Sequence, residues 1–199
     1  MLRGCVGLLY VGIFLGAILG SKDTEEPSRD ECVITGILRK KLQYENRLLY
    51  TKRYFPIDYR IGVPYGMVLR LANVTRLQKA EVAVSAQRLL WASVSVDALS
   101  AIQEVLMEEH PSWNYISEVV LLLSMVKQSA ARNPMDRAAH SLASSRVRAS
   151  GWKLVRPKAL LDNCFRVMEL LYWTCCKQNS TRDWDVCGRL PAETGPIAV

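Results

Sequence analysis

The chain has 199 residues, with 26 Lys and Arg against 19 Asp and Glu, a formal net charge of +7 and six cysteines. That length suffices for one domain with a sizeable core. Catalysis has no foothold. There is no glycine-rich phosphate loop, GxSxG elbow, HExxH pair or EF-hand loop, and neither His110 nor His140 has a spaced carboxylate or cysteine, so both read as surface histidines.

Met1 to Gly20 opens with Arg3 and continues as the uncharged run VGLLYVGIFLGAIL. It is too short and wrongly flanked for a membrane span, and reads as a secretory signal peptide cleaved near Gly20. The remainder is therefore expected to be secreted, with no membrane insertion. A basic secreted protein tends toward sulfated polysaccharide or anionic surfaces, and nucleic acid is no partner in that compartment. Residues 21–30, SKDTEEPSRD, read as a mobile leader. The folded domain is expected over residues 31–187.

Helical periodicity runs from Cys32 to Tyr54 through Ile34, Ile37, Leu38, Leu42, Leu48 and Leu49, and Phe55-Pro56 ends it. Residues 57–71 alternate around Gly62, Pro64 and Gly66, predicting a long crossover with a short strand. Such a crossover lets the first two helices run in the same direction, giving an up-up-down-down bundle. Asn73-Val74-Thr75 is a glycosylation sequon, with a helix-capping role for Asn73 or Thr75 as the alternative. A second sequon begins at Asn179.

Leu77 to Trp91 reads as the second helix, and a separate helical piece is expected from about Asp97 to Glu109. Gln103, Glu104, Glu108 and Glu109 place acids on that piece, with Glu104 and Glu108 one turn apart. A solvated face accounts for them, and so does a receptor contact, because complementary charge sets encounter rate and partner choice. His110-Pro111 breaks the helix and Ser112 can cap the next one, Trp113 to Lys127, which is apolar nearly all round and expected to be deeply buried. Trp91, Trp113 and Trp173 read as packing residues. Residues 130–151, rich in Arg, Ser and Ala, predict an exposed connection with a short helix near residues 135–142.

Arg132, Arg137, Arg146, Arg148, Lys153, Arg156 and Lys158 form a basic run, read either as a glycosaminoglycan-binding strip or as a solubilising surface. Pro157 suits the first turn of the last helix. Leu160, Leu161, Cys164, Phe165, Val167, Met168, Leu170 and Leu171 form its apolar stripe, and Asp162 and Arg166 stand four apart on the polar side. Residues 188–199 read as a disordered tail.

Removing Cys5 with the signal leaves Cys32, Cys164, Cys175, Cys176 and Cys187, an odd number whose pairing sequence alone leaves open. Cys164 sits in the apolar stripe and is expected to be a free, buried thiol. With one CC pair, no paired CxxC and only two histidines, no metal site is expected, and no cofactor is indicated.

The segments RPKALLDNCFRVMELLY followed by CCKQ, with GILRKKLQY, ANVTRLQ and HPSW upstream, resemble the interleukin-34 family. The resemblance covers most of residues 31–187. It implies an all-α fold, a four-helix bundle of the short-chain helical cytokine type with long crossovers, short extra helices and a minor β element. It also implies a Cys32–Cys176 bridge. The family's second bridge uses a cysteine where this chain has Trp173, which leaves Cys175 as the nearest remaining partner for Cys187. The implied function is that of a non-enzymatic, glycosylated, homodimeric cytokine binding the macrophage colony-stimulating factor 1 receptor, a receptor tyrosine kinase. Such a ligand promotes survival, proliferation and differentiation of monocytes and macrophages. The resemblance favours Gln103, Glu104 and Glu108 as a receptor contact and links the family to chondroitin or heparan sulfate proteoglycans, for which Arg146, Arg148, Lys153, Arg156 and Lys158 are the candidate residues.

Overall fold

The computed structural model describes residues 27–132 and 151–176 together with residues 137, 140, 141 and 144. The expected signal peptide, most of the leader, Arg146, Arg148, Asn179, Cys187 and the tail lie outside the described residues. The main elements are helices α1 (Arg29–Lys41), α2 (Tyr44–Leu48), α3 (Leu71–Lys79), α4 (Val84–Gln103), α5 (Trp113–Ala130) and α6 (Pro157–Cys176), with strands β1 (Ile61–Pro64) and β2 (Trp152–Val155).

Helix α1 begins before the expected start of the domain. Ser28 occupies the N-cap and its Oγ accepts from the Glu31 N–H at 3.2 Å, so the S-x-x-E sequence acts as a capping signal at the end of the supposed leader. The helical run to Tyr54 is not continuous. It bends at Leu42-Gln43, resumes as α2 and passes into a π-helical turn, Leu49–Arg53.

Side-chain contacts fix the helix directions. Helices α1 and α5 meet through Ser28 with Ser129 at one end and Lys41 with Glu118 at the other, so they run antiparallel. Cys32–Cys176 and Arg39–Glu169 place α6 antiparallel to α1, and Arg88 to Leu171 with Trp91 to Cys164 place α4 antiparallel to α6. Helices α1 and α4 therefore share one direction and α5 and α6 the other, the up-up-down-down order that the long crossover predicts. The interior between them is filled by Leu38, Leu42, Leu90, Trp91, Leu99, Ile102, Ile116, Leu123, Leu161 and Met168, each essentially shielded from solvent.

Two helical boundaries differ from expectation. The piece from Leu77 to Trp91 is interrupted, because α3 ends with Glu81 in the left-handed region at φ 54. There the Val82 N–H reaches the Leu77 carbonyl and the Glu81 N–H the Gln78 carbonyl, a Schellman stop made without glycine. The two pieces expected on either side of Val94 are instead one helix, α4, because Ser93 and Ser95 are buried and pack with the helix rather than turning it.

Strand β1 lies where the crossover predicts it, but its partner is unanticipated. β2 pairs with it antiparallel, Ile61 opposite Val155 and Pro64 opposite Trp152, which orders the end of the expected exposed connection. Helical conformation at residues 137, 140 and 141 falls in the region expected to hold a short helix, and residue 144, beyond that region, is helical too. His140 is half-buried there, and burial together with the Lys127 charge lowers its pKa, so it is not an ordinary surface histidine. Helix α5 is less buried than its composition suggests, with Leu121 and Met125 exposed. Asp162 does not pair with Arg166. It binds Arg47, nearly buried beneath the Phe165 ring, and Lys158 at 2.6 Å. Tertiary packing brings a shielded guanidinium against the acid, and that outweighs an exposed pair one turn along.

Candidate functional site

The α4–α5 connection is a surface feature built on a fixed base. Helix α4 stops at Gln103, so Glu104 caps its end and Glu108 lies in the following turns rather than one helical turn further on the same face. Turn bonds from Leu106 to Gln103, His110 to Met107 and Trp113 to His110 hold the backbone. Gln103 is half-buried and its amide donates to Ser117 Oγ at 3.0 Å, tying the tip to α5. Ser112 stands at the N-cap of α5 without capping it; its hydroxyl donates instead to the Tyr50 carbonyl at 2.6 Å.

His110 completes the base. Its Nδ1 accepts from the Ser112 N–H at 3.1 Å, so the neutral ring carries its proton on Nε2 and donates to the Tyr54 carbonyl at 3.2 Å. The ring also packs on Phe55, and Tyr50 stacks on Tyr115 with centroids 4.3 Å apart. Over this base stand Glu104, Glu108 and Glu109, all exposed, around Val105 and Met107, the latter 76% exposed. An apolar knob ringed by carboxylates on a rigid support suits a basic protein surface, with the apolar centre supplying contact area and the acids steering approach. The acidic residues were legible in sequence; Val105 was read with Leu99, Ile102 and Leu106 as one side of a helix, whereas it is exposed, and Met107 was passed over.

A family model described as Interleukin 34 matches residues 25–180, well over half of the 199 residues. The chain belongs to the Interleukin 34 family. It is thus a cytokine, a member of a non-enzymatic class, whose family membership implies a cytokine receptor as partner. The Cys32–Cys176 disulfide that the resemblance implied is present. Cys164 is a free, buried thiol, and burial pushes its pKa up to about 12, which keeps it protonated and unreactive. The Cys175–Cys187 pairing lies outside the described residues.

The described basic residues do not form one free strip. Arg132 pairs with Asp30 and Arg156 with Asp58, while Lys158 pairs with Asp162 and sits over the Tyr44 ring. Lys153 is half-buried on the inner side of the strand pair. Arg156 and Lys158 do converge with Lys52 on an open cleft of about 250 Å³, walled by Tyr44, Leu48, Phe55 and Tyr59. Asn73 is half-buried in the first turn of α3, whose N-cap is Arg70. Neither Asn73 nor Thr75 caps the helix; the Thr75 hydroxyl donates to the Leu71 carbonyl at 3.1 Å. Among the described residues no helix is long and apolar enough to cross a membrane, and no cluster of His, Cys, Asp or Glu has metal-binding geometry.

Proposed function

We propose that this Interleukin 34 family member is a secreted ligand of the macrophage colony-stimulating factor 1 receptor, acting as a noncovalent homodimer. A two-fold dimer presents the same surface twice and raises the mutual effective concentration of two receptor chains, so that their kinase domains phosphorylate each other. The cellular outcome is survival, proliferation and differentiation of monocytes and macrophages. The observation that carries this reading is the exposed tip of Glu104, Met107 and Glu108 on its hydrogen-bonded base, with Gln103 at its edge. The proposal extends to glycans on Asn73 and Asn179 and to a Cys175–Cys187 bridge.

The decisive test is binding of the receptor ectodomain by Glu104→Lys/Glu108→Lys. Affinity is expected to fall at least tenfold while the unfolding midpoint stays put, because exposed charges carry little stability. Unchanged affinity eliminates the tip as the contact.

A second reading, binding of chondroitin or heparan sulfate, draws on the cleft, whose lining contains Lys52, Arg156 and Lys158 and no carboxylate. Retention on heparin beyond that of a protein of equal net charge, lost in Lys52→Glu/Lys158→Glu, supports it. Retention set by net charge alone removes it.

A further inference from the structure

The cleft beside the start of α6 is made by three stretches of chain, each held by contacts of its own. Tyr44 and Thr51 come from α2 and the π-helical turn, Phe55 and Tyr59 from the loop that follows, and Arg156 and Lys158 from the entry to α6. The Thr51 hydroxyl donates to the Arg47 carbonyl, and Arg47 is bound to Asp162, which ties the first wall to α6. In the second wall the Tyr59 N–H donates to the Pro56 carbonyl at 3.0 Å, and the Phe55 and Tyr59 rings tilt together with centroids 5.3 Å apart. The strand pair closes the frame. Ile61 lies opposite Val155, so Tyr59, two residues before Ile61, and Arg156, next after Val155, arrive together.

We infer that this cleft receives an aryl sulfate, in the form of a sulfated tyrosine side chain on an extracellular protein partner. Charge is one argument. Arg47 and Lys158 share the single carboxylate of Asp162, and the Arg156–Asp58 pair is loose, at 3.5 Å with the Asp58 side chain 90% exposed. Lys52 is exposed on the lining, which contains no carboxylate. Four cations against two carboxylates leave two positive charges in excess around the cleft. An anion is what they attract, and each contact it makes with an ammonium or guanidinium is a charge-assisted hydrogen bond.

Shape is the other argument. Tyr44, Phe55 and Tyr59 supply ring surface, and the Lys158 ammonium stands 5.3 Å from the centre of the Tyr44 ring. A ligand that carries its anion on a ring meets cation and ring at once; a sulfated polysaccharide brings the anion without the aromatic group. A volume of about 250 Å³ falls below the ~300–1,000 Å³ of sites that enclose a drug-sized molecule. The cleft is open, so it suits one side chain whose backbone stays outside. Pro56 and Pro157 fix the backbone at its rim, which lowers the ordering cost of binding. Sulfate rather than phosphate as the ester rests on the secreted reading above, since tyrosine phosphorylation belongs to the cell interior.

Calorimetric titration of the purified full chain tests the site, with N-acetyl-O-sulfotyrosine amide, its unsulfated form, its phosphate counterpart and sodium sulfate as probes at constant ionic strength. The sulfate ester is expected to bind at least tenfold more tightly than the unsulfated amide and than inorganic sulfate, and no more weakly than the phosphate ester. Lys52→Glu should weaken it at least tenfold and Tyr44→Ser about threefold, corresponding to one charge-assisted bond and one ring contact. Both residues are exposed, so the helical circular dichroism of each variant should match the wild type. Equal binding of sulfated and unsulfated probes, or undiminished binding to Lys52→Glu, overturns the inference. So does a tenfold preference for the phosphate ester. Heparin retention that depends on Lys52 and Lys158 without any binding of the sulfate ester also overturns it and leaves the polysaccharide reading in place. A chain retained inside the cells that express it, yet selective for the sulfate ester once purified, defeats the secreted reading while the cleft's preference stands.

Discussion

The two ends of the bundle are secured by opposite means. At the end where α1 begins and α6 finishes, Cys32 is bonded to Cys176, and Glu31 accepts from the Tyr172 hydroxyl at 3.0 Å in a buried site flanked by Arg88, whose guanidinium lies 5.1 Å from the Tyr172 ring centre. At the other end no bridge is present among the described residues. Stacked Tyr50 and Tyr115, the His110–Phe55–Tyr59 cluster and hydroxyls on backbone carbonyls hold the chain. One end is fastened covalently; the other is fastened by many small contacts and carries Met107 and Ile57 in solvent.

Breaking that contrast should give graded effects. The largest belongs to Cys32→Ser/Cys176→Ser. Without the closure of a 144-residue separation, unfolding in urea is expected to lose about 4–5 kcal/mol by loop entropy. A loss below about 1 kcal/mol would show that the non-covalent contacts already hold that end. Next, Tyr172→Phe leaves buried Glu31 short of a donor and should cost ~1–3 kcal/mol in the same assay. At the other end, Ser112→Ala removes the bond to the Tyr50 carbonyl and should cost about 1 kcal/mol, while leaving the fold otherwise intact.

The subtlest effect is a slope. Burial raises the Glu31 pKa above 4.5, against the opposing influence of Tyr172, Arg88 and Ser28. The folded chain therefore holds a proton that the unfolded chain has released at pH just above 4.5, and stability falls as pH rises through that window. Glu31→Gln should flatten this dependence when unfolding midpoints are compared from pH 4 to 7. Parallel curves for the two proteins would place the titration elsewhere.

Much of this arrangement was legible in the chain. Pro157 and the 3.6-residue stripe marked α6, the proline- and glycine-spaced crossover marked both β1 and the shared direction of α1 and α4, and Cys164 read correctly as a buried thiol. What escaped depended on contacts distant in sequence. WKLV is four residues long and becomes a strand only by pairing with residues some ninety positions earlier. Asp162 faces Arg47 because α2 packs on α6, which no local spacing reveals. The stop at Glu81 was hidden because a Schellman turn usually announces itself with glycine, and reading residues 97–109 as one helix put Glu104 and Glu108 on a common face they do not share. The Ser28–Glu31 cap, by contrast, was a local signal and could have been read.

The Cys32–Cys176 bond also determines how the molecule responds to a protease. Every peptide link from residue 32 to residue 176 lies within the ring it closes. A protease that nicks the backbone once anywhere in that span yields two pieces on a reducing gel but a single covalent particle in solution, both halves still leashed to the same bundle.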